Sequence, residues 1–214
     1  RIETDPEDSG VFVRSMAARE RLGGLAELSY PAIVLMRAVF DWVIVETVGV
    51  GQSETDVRDV ADLVVFCAQP GSGDALQFMK AGVTEVPDLV LVTKGDLGAP
   101  ARRAAADLKG AFSLGTEGDA PEVIIVSSQT GHGIDRAIAR IEARGEALLG
   151  SGALQEARLA QASLWSDSRL RDSFGREGML LAAASPDVTN RPFSGYASRR
   201  QKLMDALEQV RKTF

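Results

Sequence analysis

The run Val43-Ile44-Val45-Glu46-Thr47-Val48-Gly49-Val50-Gly51-Gln52 decides the fold. It begins as an apolar, β-branched strand, reaches a carboxylate, and meets a glycine three residues later. Its apolarity is continuous rather than alternating, as in a strand buried on both faces of a parallel sheet. In open α/β sheets, ligands gather at the carboxyl ends of the strands. A carboxylate there can hold Mg²⁺, directly or through water. A glycine there lets its backbone N–H come close to a bound group.

Three further runs read the same way: Leu63 to Ala68, Leu89 to Thr93, and Val123 to Ser127, with the first strand spanning Trp42 to Val48. Val11 to Met16 reads as another strand. Helical patterns lie between them. Ser29 suits an N-cap with Pro31 in the first turn, and Ile33, Val34, Met36 and Val39 follow it. Ala99 to Phe112 and Ile134 to Leu149 are the clearest other helices. Strands alternating with helices through short Gly-containing joints predict a doubly wound, mostly parallel α/β sheet with right-handed crossovers.

The pattern changes at Gly150-Ser151-Gly152. Beyond it no β-branched run occurs, only helical stretches, Leu154 to Trp165 and Ser198 to Phe214. In the second, Leu203, Leu207, Val210 and Phe214 form one helical stripe. The expected organisation is a nucleotide-binding domain over residues 1–149 and a helical extension over 150–214.

Three strand ends carry chemistry. The E-x-x-G formed by Glu46 and Gly49 matches the second acidic motif of P-loop nucleotide hydrolases. A lone strand-end acid can equally be satisfied by local N–H groups; the flanking Gly51-Gln52-Ser53-Glu54 favours the functional reading. Glu46, Gly49 and Gln52 are therefore the candidate catalytic residues. The next candidate is Thr93-Lys94-Gly95-Asp96, at the end of the strand Leu89 to Val92. A strand-end [NT]KxD reads guanine: the Asp accepts from N1–H and the 2-amino group, and the Lys stem covers the base. As an ordinary solvated turn the same four residues would mean nothing. Third, Ser127-Ser128-Gln129-Thr130-Gly131-His132-Gly133 follows a strand and opens a helix, as does the loop that closes over guanine. His132 in that turn reads as solvent-facing rather than catalytic. A P-loop requires G-x-x-x-x-G-K-[ST], and no Gly-Lys dipeptide occurs in the sequence. The expectation is that the first strand, phosphate loop and first helix lie upstream of Arg1.

Composition narrows the field. With 45% hydrophobic residues in 214, the chain can bury a full core, since a chain of this size removes roughly 70% of its unfolded surface from water. The net charge of −6 is interspersed, without a basic block for nucleic acid. No apolar run approaches the ~20 residues of a membrane span. Cys67 is the one cysteine and lies in an apolar run, so it reads as a small buried hydrophobe in a protein of a reducing cytoplasm. Cys67 and His132 together fall short of the four ligands of a structural zinc site.

Taken together, these residues resemble the MeaB/ArgK family of G3E GTPases. The resemblance rests on Val13-Arg14-Ser15-Met16, Leu22-Gly23-Gly24-Leu25, Val45 to Glu54, the stretch Gly73-Asp74 to Gly82, Thr93 to Asp96, and Gly131-His132-Gly133. It covers residues 1 to about 149. It implies a GTPase chaperone of an adenosylcobalamin-dependent acyl-CoA mutase, chiefly methylmalonyl-CoA mutase, with GTP/GDP and Mg²⁺ as ligands and homodimerisation through C-terminal helices. An older family label is an arginine/ornithine transport kinase. By the same resemblance, Glu46 is the Mg²⁺-associated acid, through water, and Gly49 senses the γ-phosphate. Thr93, Lys94, Asp96, Ser127 and Ser128 hold the nucleotide, and Asp74, Gln77 and Lys80 signal its state to the mutase. Thr93 stands where the family usually has Asn. A metal-delivery G3E GTPase would need more Cys/His ligands than this chain has. A non-catalytic interaction module is the remaining alternative for the chain as it stands.

Overall fold

The structure is a computed structural model, and it describes residues 5, 7–16, 28–47, 57–72, 87–115, 120–183 and 193–213. Three parallel strands form its sheet: β1 (Val65–Ala68), β2 (Leu89–Val92) and β3 (Glu122–Ile125), in the order β1-β2-β3. Val65 pairs with Leu89, and Leu89 with Glu122. The five described α-helices are α1 (Ser29–Met36), α2 (Ala99–Gly115), α3 (Ile134–Ser151), α4 (Ala153–Ala183) and α5 (Ser194–Thr213).

Side chains on a strand alternate between faces, and both faces of this sheet are covered. Val90, Val92 and Val123 pack with Ala101, Ala105, Leu108 and Phe112 of α2. Leu89, Ile124 and Val126 pack with Ala137 of α3, joined by Ile134 and Ile141. Helices on opposite faces of a parallel sheet make this the doubly wound α/β architecture that the continuous apolar runs require. No helix among the described residues is long and apolar enough to cross a membrane.

Two of the expected strands are not in the sheet. Residues 11–16 and 42–47 carry no strand pairing. The second segment still alternates: Val43 and Val45 turn into a cluster with Tyr30, Ile33, Val60 and Trp165, whereas Ile44 is 91% exposed. It is buried on one face rather than two, because no neighbouring strand stands beside it among the described residues. Helix α1 begins at Ser29 itself, with Leu28 at the cap position and no side-chain cap bond. Ser29 is buried instead. Cys67 is exposed, not buried; its neighbour Ala68 points to the opposite face of β1 and lies in the core under α2. The Cys67 thiol is nevertheless raised above the ordinary value, first by partial burial and second by the nearby Glu46 carboxylate.

Beyond Gly152, which turns the chain at φ 74°, α4 and α5 form a helical pair. Leu170 and Leu203 are its buried contacts, with Phe174, Met179 and Tyr196 around them. Leu203 of the predicted stripe packs within this pair, and Leu207 is exposed. Helix α4 is broken at Gly175, whose φ of 66° and ψ of −166° no helix contains.

Candidate functional site

The carboxyl ends of β2 and β3 build one compact corner. After β2, Thr93 leaves the ladder by donating its N–H to the carbonyl of Ala68, 2.9 Å away, and its hydroxyl to the same oxygen at 3.2 Å. Both bonds tie the end of β2 to the end of β1. Lys94 then takes φ 54° and ψ 45°. It is the one non-glycine residue with positive φ among those described, a conformation that costs about 1–2 kcal/mol for an L-residue. Strain of this kind persists only where the surroundings impose it, and it gathers at ligand sites.

What imposes it is the next residue. The Gly95 N–H donates to the carbonyl of Val126 at 2.8 Å. A Cβ on Gly95 would stand 2.8 Å from Cγ2 of Ile125 and 3.1 Å from that carbonyl, so only glycine passes so close to β3. A single 3-10 turn, Gly95–Leu97, follows and carries Asp96. Asp96 is exposed, and its Oδ1 accepts a 2.6 Å hydrogen bond from the hydroxyl of Ser127. Ser127 is fully buried. Its own N–H donates to the carbonyl of His132 at 2.9 Å, and its Oγ accepts from the Thr130 N–H at 3.3 Å. The Asp96 carboxylate is thus held from the floor of the corner, and Oδ2 has no partner among the described residues.

The loop 127–133 closes the other side. Gly133 has φ 74°, and a Cβ there would lie 2.2 Å from the carbonyl oxygen of Ile125. This contact lets α3 begin directly against β3, with the Ala137 N–H bonded to the Gly133 carbonyl at 3.0 Å. Ser128 and His132 are exposed on the loop. The result is a solvent-facing corner with one oriented carboxylate, one strained lysine, and the start of a helix beside them. A planar base that offers two adjacent donors suits that carboxylate.

The other candidate residues lie elsewhere. Glu46 is exposed at the end of the segment 42–47, close enough to β1 for its charge to act on Cys67. Gly49, Gln52, Asp74, Gln77 and Lys80 fall outside the described residues. The geometry therefore brings together Thr93, Lys94, Asp96, Ser127 and Ser128 but leaves the acid-and-glycine motif represented by Glu46 alone. Among the described residues no cluster of three or more His, Cys, Asp or Glu could hold a metal. A lone carboxylate fits a Mg²⁺ ion carried chiefly by phosphates and water, not one caged by protein.

The model of the family described as methylmalonyl Co-A mutase-associated GTPase MeaB matches residues 1–178. The chain belongs to the MeaB family. A Caulobacter vibrioides protein named as a GTPase is 36% identical over 88% of the chain and 60% of its own length. The mouse methylmalonic aciduria type A homolog, mitochondrial, is 37% identical over 74% of the chain and 40% of its own length. A Pyrococcus horikoshii protein also named as a GTPase is 38% identical over 74% and 51%. The chain thus spans about half the length of the curated relatives it matches. MeaB is a GTP-hydrolysing family, and guanine nucleotide is the ligand it implies. The match runs past residue 149, where the resemblance was expected to end, and takes in most of α4.

Several contributors escape sequence reading. The positive φ of Lys94 has no signal, since Gly or Asn is the usual occupant of that conformation. The grip of α4 on the body of the fold, through Arg158, Gln161 and Trp165, is hidden by the distance in sequence to its partners. The Ser127–Asp96 bond could have been found: both residues end adjacent strands, and a buried hydroxyl needs a partner.

Proposed function

We propose that this chain is the base-reading part of a GTPase chaperone that serves an adenosylcobalamin-dependent acyl-CoA mutase of the methylmalonyl-CoA mutase type. The observation that carries the reading is the Asp96 carboxylate, fixed by buried Ser127 at the end of β2 with Lys94 strained beside it. Guanine offers N1–H and a 2-amino group side by side, the donors that such a carboxylate accepts; adenine does not. Family membership supports a partner mutase, and the name of the mouse relative concerns methylmalonic aciduria. In this reading Glu46 orders Mg²⁺ through water, Gly49 and Gln52 meet the terminal phosphate, and Asp74, Gln77 and Lys80 face the mutase. Homodimerisation through the C-terminal helices and a cytoplasmic location complete the proposal.

The chain itself should bind GTP weakly. Phosphate affinity in this fold comes from glycine-loop N–H groups, the helix behind them and a lysine, and the sequence has no Gly-Lys pair to supply them. Calorimetry with GTP and Mg²⁺ tests the point. The protein in the full length its gene encodes should bind in the micromolar range, and the 214-residue chain far more weakly. Low-micromolar binding by the short chain would put the phosphate site somewhere other than proposed. No binding by the full-length protein would end the GTPase reading.

A further inference from the structure

Helix α4 holds both flanks of the segment that carries the candidate acid. On one flank, Val43 and Val45 lie in the same cluster as Trp165, which stacks on Tyr30 with ring centres 5.5 Å apart. Glu46 follows Val45 directly. On the other flank is the turn at residues 57–61, which leads into β1. Gln161 is buried and donates from Nε2 to the carbonyl of Ala61 at 2.8 Å and to that of Arg58 at 3.4 Å. Arg158 binds both oxygens of Asp62, from Nε at 3.0 Å and from Nη2 at 2.6 Å. Arg37, just after α1, reaches the same carboxylate at 3.4 Å. Positions 158, 161 and 165 share one face of a helix, since residues three, four and seven apart lie one above another.

The three contacts differ in kind. The arginine makes a bidentate, charge-assisted pair with a fixed planar geometry. The glutamine reads two backbone carbonyls of a turn, so it responds to the turn's shape rather than to side-chain identity. The tryptophan supplies a broad apolar wall. The face also has spare capacity: Gln161 Oε1 and Trp165 Nε1 are buried, with no hydrogen-bond partner among the described residues. One is an acceptor, the other a donor, and they stand one helical turn apart. Groups left unmatched in a buried place favour any arrangement that satisfies them.

We propose that Arg158, Gln161 and Trp165 are positioning residues for the acid-bearing segment, so that α4 sets where Glu46 stands and moves with it when the nucleotide changes. The inference rests on the reading of Glu46 as the acid near the terminal phosphate. The base corner needs no such help, because Asp96 is held by Ser127 and Gly95 by Val126. The two halves of the site should therefore separate in experiment: disturbing α4 affects hydrolysis and leaves guanine recognition intact.

The test uses the full-length protein labelled with 5-fluorotryptophan, with the Trp165 resonance assigned by Trp165→Phe. In the wild type that resonance should shift between the GDP-Mg²⁺ form and the form with a non-hydrolysable GTP analogue. In Arg158→Gln the shift should largely vanish and kcat should fall about tenfold, with GDP affinity changed less than twofold; Arg158→Lys should fall in between. Nucleotide binding with an unmoved Trp165 resonance would overturn the inference and leave the GTPase reading standing. So would unchanged kcat in a folded Arg158→Gln protein. Failure of the wild type to bind GDP would overturn both. The wild-type measurement needs no variant, so misfolding of Arg158→Gln cannot shield the idea.

Discussion

The corner at the ends of β2 and β3 and the segment 42–47 share one sequence grammar, an apolar β-branched run that ends in a polar motif, yet they fold differently. At the corner two glycines, Gly95 and Gly133, pass so close to β3 that a Cβ would clash, and backbone hydrogen bonds hold both turns. Along 42–47 only one face is used, and Trp42 and Ile44 stand in solvent at 59% and 91% exposure. The difference is a matter of neighbours. A run such as Leu89–Val92 is a strand because Val65–Ala68 and Glu122–Ile125 flank it. Strand preference is largely a preference for packing against such flanks. The run Val43 to Thr47 has the same residue types, but among the described residues it lacks a flank.

The comparison can be broken most sharply at Asp96. In the full-length protein, Asp96→Asn should cost about 2–4 kcal/mol of guanine nucleotide affinity through loss of a charge-assisted pair and should favour xanthine nucleotides. Competition binding measures both, and unchanged GTP affinity would remove the corner from nucleotide reading. Gly133→Ala comes next. It places a methyl group 2.2 Å from the Ile125 carbonyl at a φ of 74°. It should destabilise the fold by about 2–3 kcal/mol, of which the left-handed backbone accounts for about 1–2. Urea unfolding followed by circular dichroism would show it.

A third pair of substitutions tests whether burial separates the two regions. Val92 is fully buried between β2 and α2, so Val92→Ala should cost about 2 kcal/mol. Ile44→Ser should cost less than about 0.5 kcal/mol in this chain, since exposed sites rarely do more. A large loss at Ile44 would mean that its outward face is covered after all. The smallest effect belongs to Glu122, on the far edge of the sheet. A hydrogen bond from Arg136, helped by the charge of Arg140 and opposed by its burial, holds its carboxyl below the usual range. A depressed folded-state value gives stability that is fully present above about pH 4.3, the unfolded value, and is lost as pH falls through the folded one. Glu122→Gln should therefore cost about 0.5 kcal/mol at pH 7, given how exposed both arginines are. The gap to the wild type should close in acid, as read from unfolding midpoints at several pH values.

Legibility in the sequence follows the same division. The strands Leu89 to Thr93 and Val123 to Ser127 and the helices after them are legible to within a few residues, because periodicity, glycines and burial agree. The stretch Thr93 to Asp96 is legible as a strand-end motif, and the structure adds what holds it: Ser127 beneath Asp96, and a cramped Gly95 behind Lys94. Ser29 does not cap its helix, because Tyr30 and Ile33 draw the first turn into a buried cluster instead. The break at Gly175 is not legible, since an isolated glycine inside a helical pattern is usually tolerated. The contacts of α4 with residues 58–62 span about a hundred positions, and no local pattern encodes a partner so far away.

The order β1-β2-β3 has a kinetic consequence. Each strand joins the one just before it in the chain, and the two closures, Val65 onto Leu89 and Leu89 onto Glu122, differ in loop-closure entropy by only about 0.3 kcal/mol. Among the described residues each strand pairs with the next one in the chain, so the sheet can be completed in the order of synthesis, although parallel pairing across a whole crossover is intrinsically slow. On a growing polypeptide the corner that joins Asp96 to Ser127 would be complete as soon as α3 clears the ribosome, while α4 and its hold on residues 58–62 come later. The corner at the ends of β2 and β3 is thus made before the contacts that α4 forms with residues 58–62.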